Sequence, residues 1–418
     1  MTTNYKILGQ TAPAAATETL NYTVPASTST LVRSINVTNT SATADTYSIS
    51  IPPSVTAVTT TAIVTVVGAS YPGNTGSPST KAAYSTNGIT WTATTLPVST
   101  TWTEITYGNG TYVAISADTT TTAAYSINGI TWAATTMPSS VGWYGLTYGN
   151  NTFVATAASS TTAATSTNGI TWTIATLPIS GSFSITYGNG KFVGVAGSGL
   201  ASTNAIYSTN GITWTTTTLP TSLKWSAVAY GTSGYSAVAG AFFTSTTTGS
   251  FSTDGITWTT TTMPASVPWG NIVYGNSLYV AISGALSPQS TTAAYSTNGT
   301  TWSLGTLPAT AVWIGLTYGN GYFYATASNT ASSAYSTNGA TWTLSTLPSS
   351  AYWISIAYGA PTLVPATSNA NYIAYNNTIP GNSTMTIKAG YTLPTTAGIR
   401  VTSTNGTSTF STFGAEIS

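Results

Sequence analysis

One eight-residue phrase recurs seven times along the chain, and its spacing of about forty residues constrains the fold more than any other feature. The copies read YSTNGITW (84–91), YSINGITW (125–132), TSTNGITW (165–172), YSTNGITW (207–214), FSTDGITW (251–258), YSTNGTTW (295–302) and YSTNGATW (335–342). A period of this length means one supersecondary unit, stacked or set in a circle, because a single unit cannot bury its apolar face alone.

Each repeat holds more than the phrase. After Trp91 comes TATTLP, then WTEITYGNG from Trp102, then TYVAIS and the next AAYS. The same order returns from Trp143, Phe183, Trp225, Trp269, Trp313 and Trp353. WxxITYG reads as a short apolar strand, and GNG as a hairpin, since Asn-Gly tolerates the positive φ of a tight turn. YVAIS reads as a buried strand, AAYS as a third and ITWT as a fourth. Four short antiparallel strands per repeat predict an all-β chain whose repeats are each one blade of a seven-bladed β-propeller.

The pairs are out of phase, which predicts closure. The first YSTNG–TW pair (82–95) has no complete strand pair before it, and the WISIAYG pair, from Trp353 to about Thr367, has no YSTNG after it. Joining the two completes the seventh blade and removes open sheet edges. Residues 62–67, AIVTVV, are an extra apolar run at this seam that the repeat does not place.

The flanks differ in composition. Residues 1–56 read as strands YKILG, TLNYTV, TLVRSINVT and TYSISI, and residues 370–418 as NYIAYNN, STMTIKAG, GIRVTST and TFSTFGAEI. Neither half can bury a core alone. Together they have the size of a β-sandwich. The expected organisation is therefore a discontinuous sandwich (1–56 plus 370–418) interrupted by the propeller (57–369). Three consecutive pieces with unrelated end domains is the competing arrangement.

Charge excludes several functions. Charged residues are 3% of the 418, against roughly a quarter in an ordinary domain, and the net charge is +1. Nucleic acid and anionic membranes need clustered Lys and Arg, so neither is an expected partner. No run approaches a membrane span. The N-terminus lacks a basic region followed by an apolar one, so no signal peptide is read. With no cysteine there is no disulfide or thiolate chemistry, and with no histidine little is expected to titrate between pH 5 and 8. Indifference to pH and salt is the expectation.

The repeated S-T-[ND]-G-x-T-W resembles the Asp-box, or BNR, turn of sialidase-type propellers. It is one residue shorter than the usual S-x-D-x-G-x-T-W, and six of the seven copies carry Asn; Asp254 alone keeps the acid. The resemblance implies a structural turn, and the side chains agree. Ser and Asn satisfy turn amides, Gly takes positive φ, and Trp packs between blades. Asn87, Gly88, Trp91, Trp132, Trp172, Trp214, Asp254, Trp258, Trp302 and Trp342 are thus expected as turn and core residues. Sialidases bind their substrate with three arginines; this chain has only Arg33 and Arg400, both outside the ring.

Lys81, Lys191, Lys224, Glu104, Asp118 and Asp254 are the ring's entire charge. A hydrolytic pair needs a positioned acid and base, and Glu104 with Asp118 is the one candidate. Serine and cysteine triads lack their histidine, and metal sites lack their ligands. No catalytic, cofactor or metal residue is expected. For recognition there remain the aromatic series at Trp102, Trp143, Phe183, Trp225, Trp269, Trp313 and Trp353, which reads first as core but would stack on sugars if partly exposed. The loops 71–79, 197–204 and 240–250 break the period, as binding loops on repeat scaffolds do.

The flanks also resemble a known family. KILGQ…TYSISI and YIAYNN…FGAEIS match, in block order, the start and end of a small β-sandwich protein of tailed-bacteriophage virions. The resemblance covers about a quarter of the chain. It implies a structural virion protein: the sandwich contacts other virion proteins, and the propeller is displayed for decoration or for adhesion to host-surface glycan. A homo-oligomer is expected. The other readings are a cement or spacer protein without ligand, and a glycan-degrading tail enzyme.

Overall fold

A computed structural model describes residues 6–12, 14–15, 19–23, 29–51, 62–67, 78–197, 201–359, 371–393 and 398–417. The junctions 52–61 and 360–370, and most of the 71–79 loop, lie outside them. The described residues contain strands and turns and no helix. The chain divides into two compact units, residues 60–362 and the two ends, 1–59 with 363–418.

The middle unit is a succession of antiparallel sheets. One is Trp102–Gly108, Thr111–Ser116, Thr120–Ser126 and Ala133–Val141, paired in that order. The pattern repeats in the sheets that begin at Trp143, Phe183 and Trp225. The remaining nine strands form one continuous sheet. Its strands Ser303–Gly319, Tyr322–Ser336 and Thr343–Gly359 each pair with one neighbour through their first half and another through their second. It therefore resolves into three more four-stranded units, seven in all.

The first strand of each unit touches the first strand of the next, and the second half of Thr343–Gly359 touches Trp102–Gly108, so the circle closes. The closing unit draws on both ends of the array. Residues 353–359 pair with Ala62–Val67, which pairs with Ser79–Ser85, which pairs with Thr92–Thr100. AIVTVV is thus the second strand of the closing sheet, in the place that YVAIS holds elsewhere. This corrects the expectation that residues after 359 complete the WISIAYG pair. The Val-rich run does that job without the repeat's aromatic, which hid it.

The fourth strand also differs from the sequence reading. It is not ITWT but the segment after the tryptophan, Thr92–Thr100 in the closing sheet. The turn holds the chain through residue 90, because the Asn87 Oδ1 accepts the amides of Ile89 and Thr90. The strand includes Pro97, whose missing N–H suits an outer edge and discourages pairing with another chain. The preceding Leu96 is buried. The same Leu-Pro or Met-Pro step recurs in every outer strand.

The end unit has two four-stranded antiparallel sheets. In one, Ser29–Asn39 lies between Ser408–Ile417 and Ser383–Leu393, with Lys6–Thr11 beyond. In the other, Asp45–Ile51 lies between Gly398–Ser403 and Asn371–Ile379, with Thr19–Thr23 at the edge. Each sheet takes strands from both ends of the chain. Asp45 ties them: it is 1% exposed and its carboxylate accepts from the hydroxyls of Ser403, Ser408 and Thr407 and the amides of Asn405 and Thr46. Burial works to raise this carboxyl, but the hydrogen bonds outweigh it and hold the group below its ordinary range.

Candidate functional site

The seven repeat turns share one hydrogen-bond plan. Ser85 Oγ accepts the Gly88 amide at 2.8 Å and donates to Asn87 Oδ1 at 3.1 Å. Asn87 Oδ1 in turn accepts the Ile89 and Thr90 amides, both at 2.9 Å. The plan is the same at Ser126–Asn128, Ser166–Asn168, Ser208–Asn210, Ser252–Asp254, Ser296–Asn298 and Ser336–Asn338. The turn glycines take φ between +67° and +75°, a region closed to most side chains. Asp254 uses Oδ1 for the Ile256 and Thr257 amides, both at 2.8 Å. A carboxylate can only accept, so the turn demands an acceptor and no charge. Partial burial would raise the Asp254 carboxyl; the Thr257 and Ile256 amides and Ser252 hydroxyl overcome that and lower it.

The turn tryptophans close the joints between neighbouring sheets. Trp91, Trp214, Trp258, Trp302 and Trp342 are buried; Trp132 and Trp172 are partly so. Trp172 packs with Trp143 and Phe153 of its own sheet against Val113, Ile115 and Met137 of the preceding one. The indoles of Trp132, Trp172, Trp214, Trp302 and Trp342 donate to the turn glycine carbonyl at 3.0–3.3 Å. Those of Trp91 and Trp258 have no partner. Gly88 packs against the Tyr324 ring of the neighbouring sheet; an added Cβ would fall 1.8 Å from it.

The second aromatic series is core. Trp102, Trp143, Phe183, Trp225, Trp269 and Trp313 are 0% exposed and Trp353 is 1% exposed, so none of them stacks on a sugar.

A third series went unread in the sequence. The tyrosine of each ITYG lies over the glycine that ends the first strand of the preceding sheet. A Cβ at Gly108 would fall 2.0 Å from the Tyr148 ring, at Gly149 2.0 Å from Tyr187 and at Gly188 1.9 Å from Tyr230. The series runs on through Tyr274, Tyr318 and Tyr358, and Gly359 returns to Tyr107 and Tyr112. Tyr148 also meets Phe153 of its own sheet at 4.7 Å between centroids. The Tyr-Gly dipeptide, constant in every repeat, was the available signal.

Glu104 and Asp118 are held by different partners. Glu104, on a first strand, accepts from Ser355 Oγ, whose oxygen also receives the Ile105 amide. Burial pushes its carboxyl up to about 7, against the opposing hydrogen bonds from Ser355 and Ile105. Asp118 accepts from Thr100 Oγ1 and the Thr101 amide at 2.9 Å; burial opposes these bonds and loses, so its carboxyl lies below the usual range. One carboxyl therefore does titrate near neutrality, a correction to the expected indifference to pH. No cluster of His, Cys, Asp and Glu able to hold a metal occurs among the described residues.

No family model matches the chain, and no curated protein does. Solved structures do. The virginiamycin B lyase of Staphylococcus aureus aligns with TM-score 0.51 at 12% identity, over 72% of this chain and 94% of its own. A catalytically inactive form of that enzyme, with a histidine changed to alanine and with quinupristin, gives 0.50 at 13% identity, over 72% and 94%. A streptogramin B lyase gives 0.52 at 16% identity, over 68% and 95%. At such identities the likeness establishes the fold, a β-propeller, and leaves activity open.

Proposed function

We propose that this chain is a non-enzymatic structural protein of a tailed-phage virion. In this reading the end unit is a discontinuous β-sandwich that anchors the chain to other virion proteins. The ring is a seven-bladed propeller displayed for adhesion to host-surface glycan. The observation that carries it is the interleaving of the two chain ends, strand by strand, in both end sheets, together with the flanking resemblance. A binding module lodged in a loop of an anchoring module is the organisation this suits.

The chemistry supports a non-enzymatic role. The staphylococcal lyase loses catalysis when a histidine becomes alanine; this chain has no histidine at all. Asp118 Oδ2 and Asp254 Oδ1 accept loop and turn amides, and Glu104 accepts from Ser355. Seven near-identical turns serve the ring, since a feature repeated in every sheet distinguishes no single site.

Cryo-electron microscopy of the assembled particle tests the reading. The expected map has the end unit against neighbouring virion proteins and the ring facing outward. A ring docked inward, or a chain absent from the particle, overturns it. For the enzymatic alternative, the chain is incubated with host polysaccharide. Release of oligosaccharides that stops in Glu104→Gln would replace the adhesion reading with a catalytic one.

A further inference from the structure

We propose that Asn189 and Asn320 are sites of spontaneous deamidation, set apart by the fold from eight other Asn-Gly pairs that it protects. The chain has ten such pairs. Six are in the repeat turns, three in the GNG hairpins between the first and second strands of a sheet, and one, Asn405-Gly406, is in the end unit. The dipeptide is open to this reaction because glycine has no Cβ to obstruct its own nitrogen. Water is the only co-reactant. The glycine nitrogen loses its proton to hydroxide and attacks the asparagine Cγ. A C–N bond closes a succinimide, the Cγ–Nδ2 bond breaks, and ammonia leaves. Water then opens the ring at either carbonyl, giving aspartate or isoaspartate.

The repeat turns hold both reacting groups. Each turn glycine that follows an asparagine is buried, and its amide donates to the turn serine at 2.8–2.9 Å. The asparagine Oδ1 is pinned by two further amides, as Asn87 is by Ile89 and Thr90. Bringing Cγ onto the nitrogen would give up these three bonds and uncover a buried amide. In the first hairpin Asn109 Nδ2 donates to the Thr167 carbonyl at 3.2 Å, and Gly110 is buried. In the end unit Asn405 Nδ2 donates to the Ala44 carbonyl at 3.3 Å, and a Cβ at Gly406 would fall 2.8 Å from the Ala15 nitrogen.

Asn189 and Asn320 lack these restraints. Each is exposed and followed by an exposed glycine, in a two-residue loop closed by the pair Gly188–Lys191 or Gly319–Tyr322. Nothing lies within 4 Å of a Cβ placed on Gly190 or Gly321. Solvent therefore reaches the nitrogen that must lose its proton, and the loop has room to turn. No hydrogen bond holds either side chain among the described residues. The change matters in a chain with so little charge. Lys and Arg number seven against six Asp and Glu; each conversion adds one negative charge, so two take the net charge from +1 to −1.

The purified full chain is incubated at mildly alkaline pH, with circular dichroism following the fold, and mapped over time by peptide mass spectrometry. We expect aspartate and isoaspartate to accumulate at positions 189 and 320. The six turn asparagines should convert roughly a hundredfold more slowly, the cost of releasing three hydrogen bonds. In urea all ten pairs should convert at similar rates, since unfolding removes the distinction. Gly190→Ala should slow conversion at 189 and leave 320, the internal reference, unchanged. Turn asparagines that convert as fast as 189 in the folded chain overturn the proposal. So does survival of 189 and 320 in the folded chain while the unfolded chain converts, or survival of every pair in both.

Discussion

Asn87 and its six counterparts show why the repeat tolerates so little change. A side-chain oxygen two residues after a serine satisfies two amides that the tight turn leaves without backbone partners. Asp254 performs the same task with a charge that the geometry does not need. Asn87→Ala should therefore cost about 1 kcal/mol, while Asn87→Asp should change stability by less than about 0.5 kcal/mol; urea unfolding at neutral pH separates the two. Gly88 is stricter, because it combines φ +72° with contact against Tyr324. Gly88→Ala should cost about 2–4 kcal/mol through backbone strain and overpacking.

Among the elements, the first strands carry the closest inter-sheet contact, a glycine under the next sheet's tyrosine. Two glycines two positions apart divide the causes. Gly188 has ordinary φ but no room, since its Cβ would fall 1.9 Å from Tyr230. Gly190, in the hairpin, has φ +75° and nothing within 4 Å. Gly188→Ala should cost roughly 2–3 kcal/mol by overpacking, and Gly190→Ala only about 1 kcal/mol by backbone strain. Chemical denaturation of the two variants measures the ratio; equal costs would mean that the tyrosine contact yields. The outer strands are governed by their prolines, which deny hydrogen bonds to a neighbouring edge.

At the scale of the molecule, closure depends on a strand contributed from each end of the array, and the last of these is held to the first sheet by Ser355 on Glu104 and by Tyr112 on the Gly359 carbonyl. The Glu104 carboxyl is raised from 4.5 to about 7. Its contribution to stability is complete below pH 4.5, declines as pH rises through 7, and is gone above that. The melting temperature of the ring should fall by roughly 5 °C between pH 5 and 8, and Glu104→Gln should flatten the profile. In the end unit the sign is opposite. Asp45 is held below its ordinary range, so its stabilisation is present above the unfolded value and lost as pH falls through the lowered one. Asp45→Asn should cost about 2–4 kcal/mol and remove that acid sensitivity, read by calorimetry at pH 3 and pH 7.

Local chemistry was legible wherever it repeated. The Ser-x-Asn-Gly turn, the GNG hairpin, the β class and the phase shift between the two kinds of strand pair all follow from side chains acting within a few residues of one another. Three things waited for the assembled chain. The place of residues 62–67 was decided by pairing on one side with residues 353–359 at the other end of the array, which no local pattern encodes. The tyrosines acquired their role from a glycine on another sheet, so the dipeptide looked like part of a strand until the circle was closed. The acidity of Glu104 came from desolvation, a property of everything packed around it rather than of its neighbours in sequence. Periodicity dictates the unit because hydrogen bonds within a turn are short-ranged; register across the seam, close approach and dielectric surroundings arise only when distant segments are brought into contact.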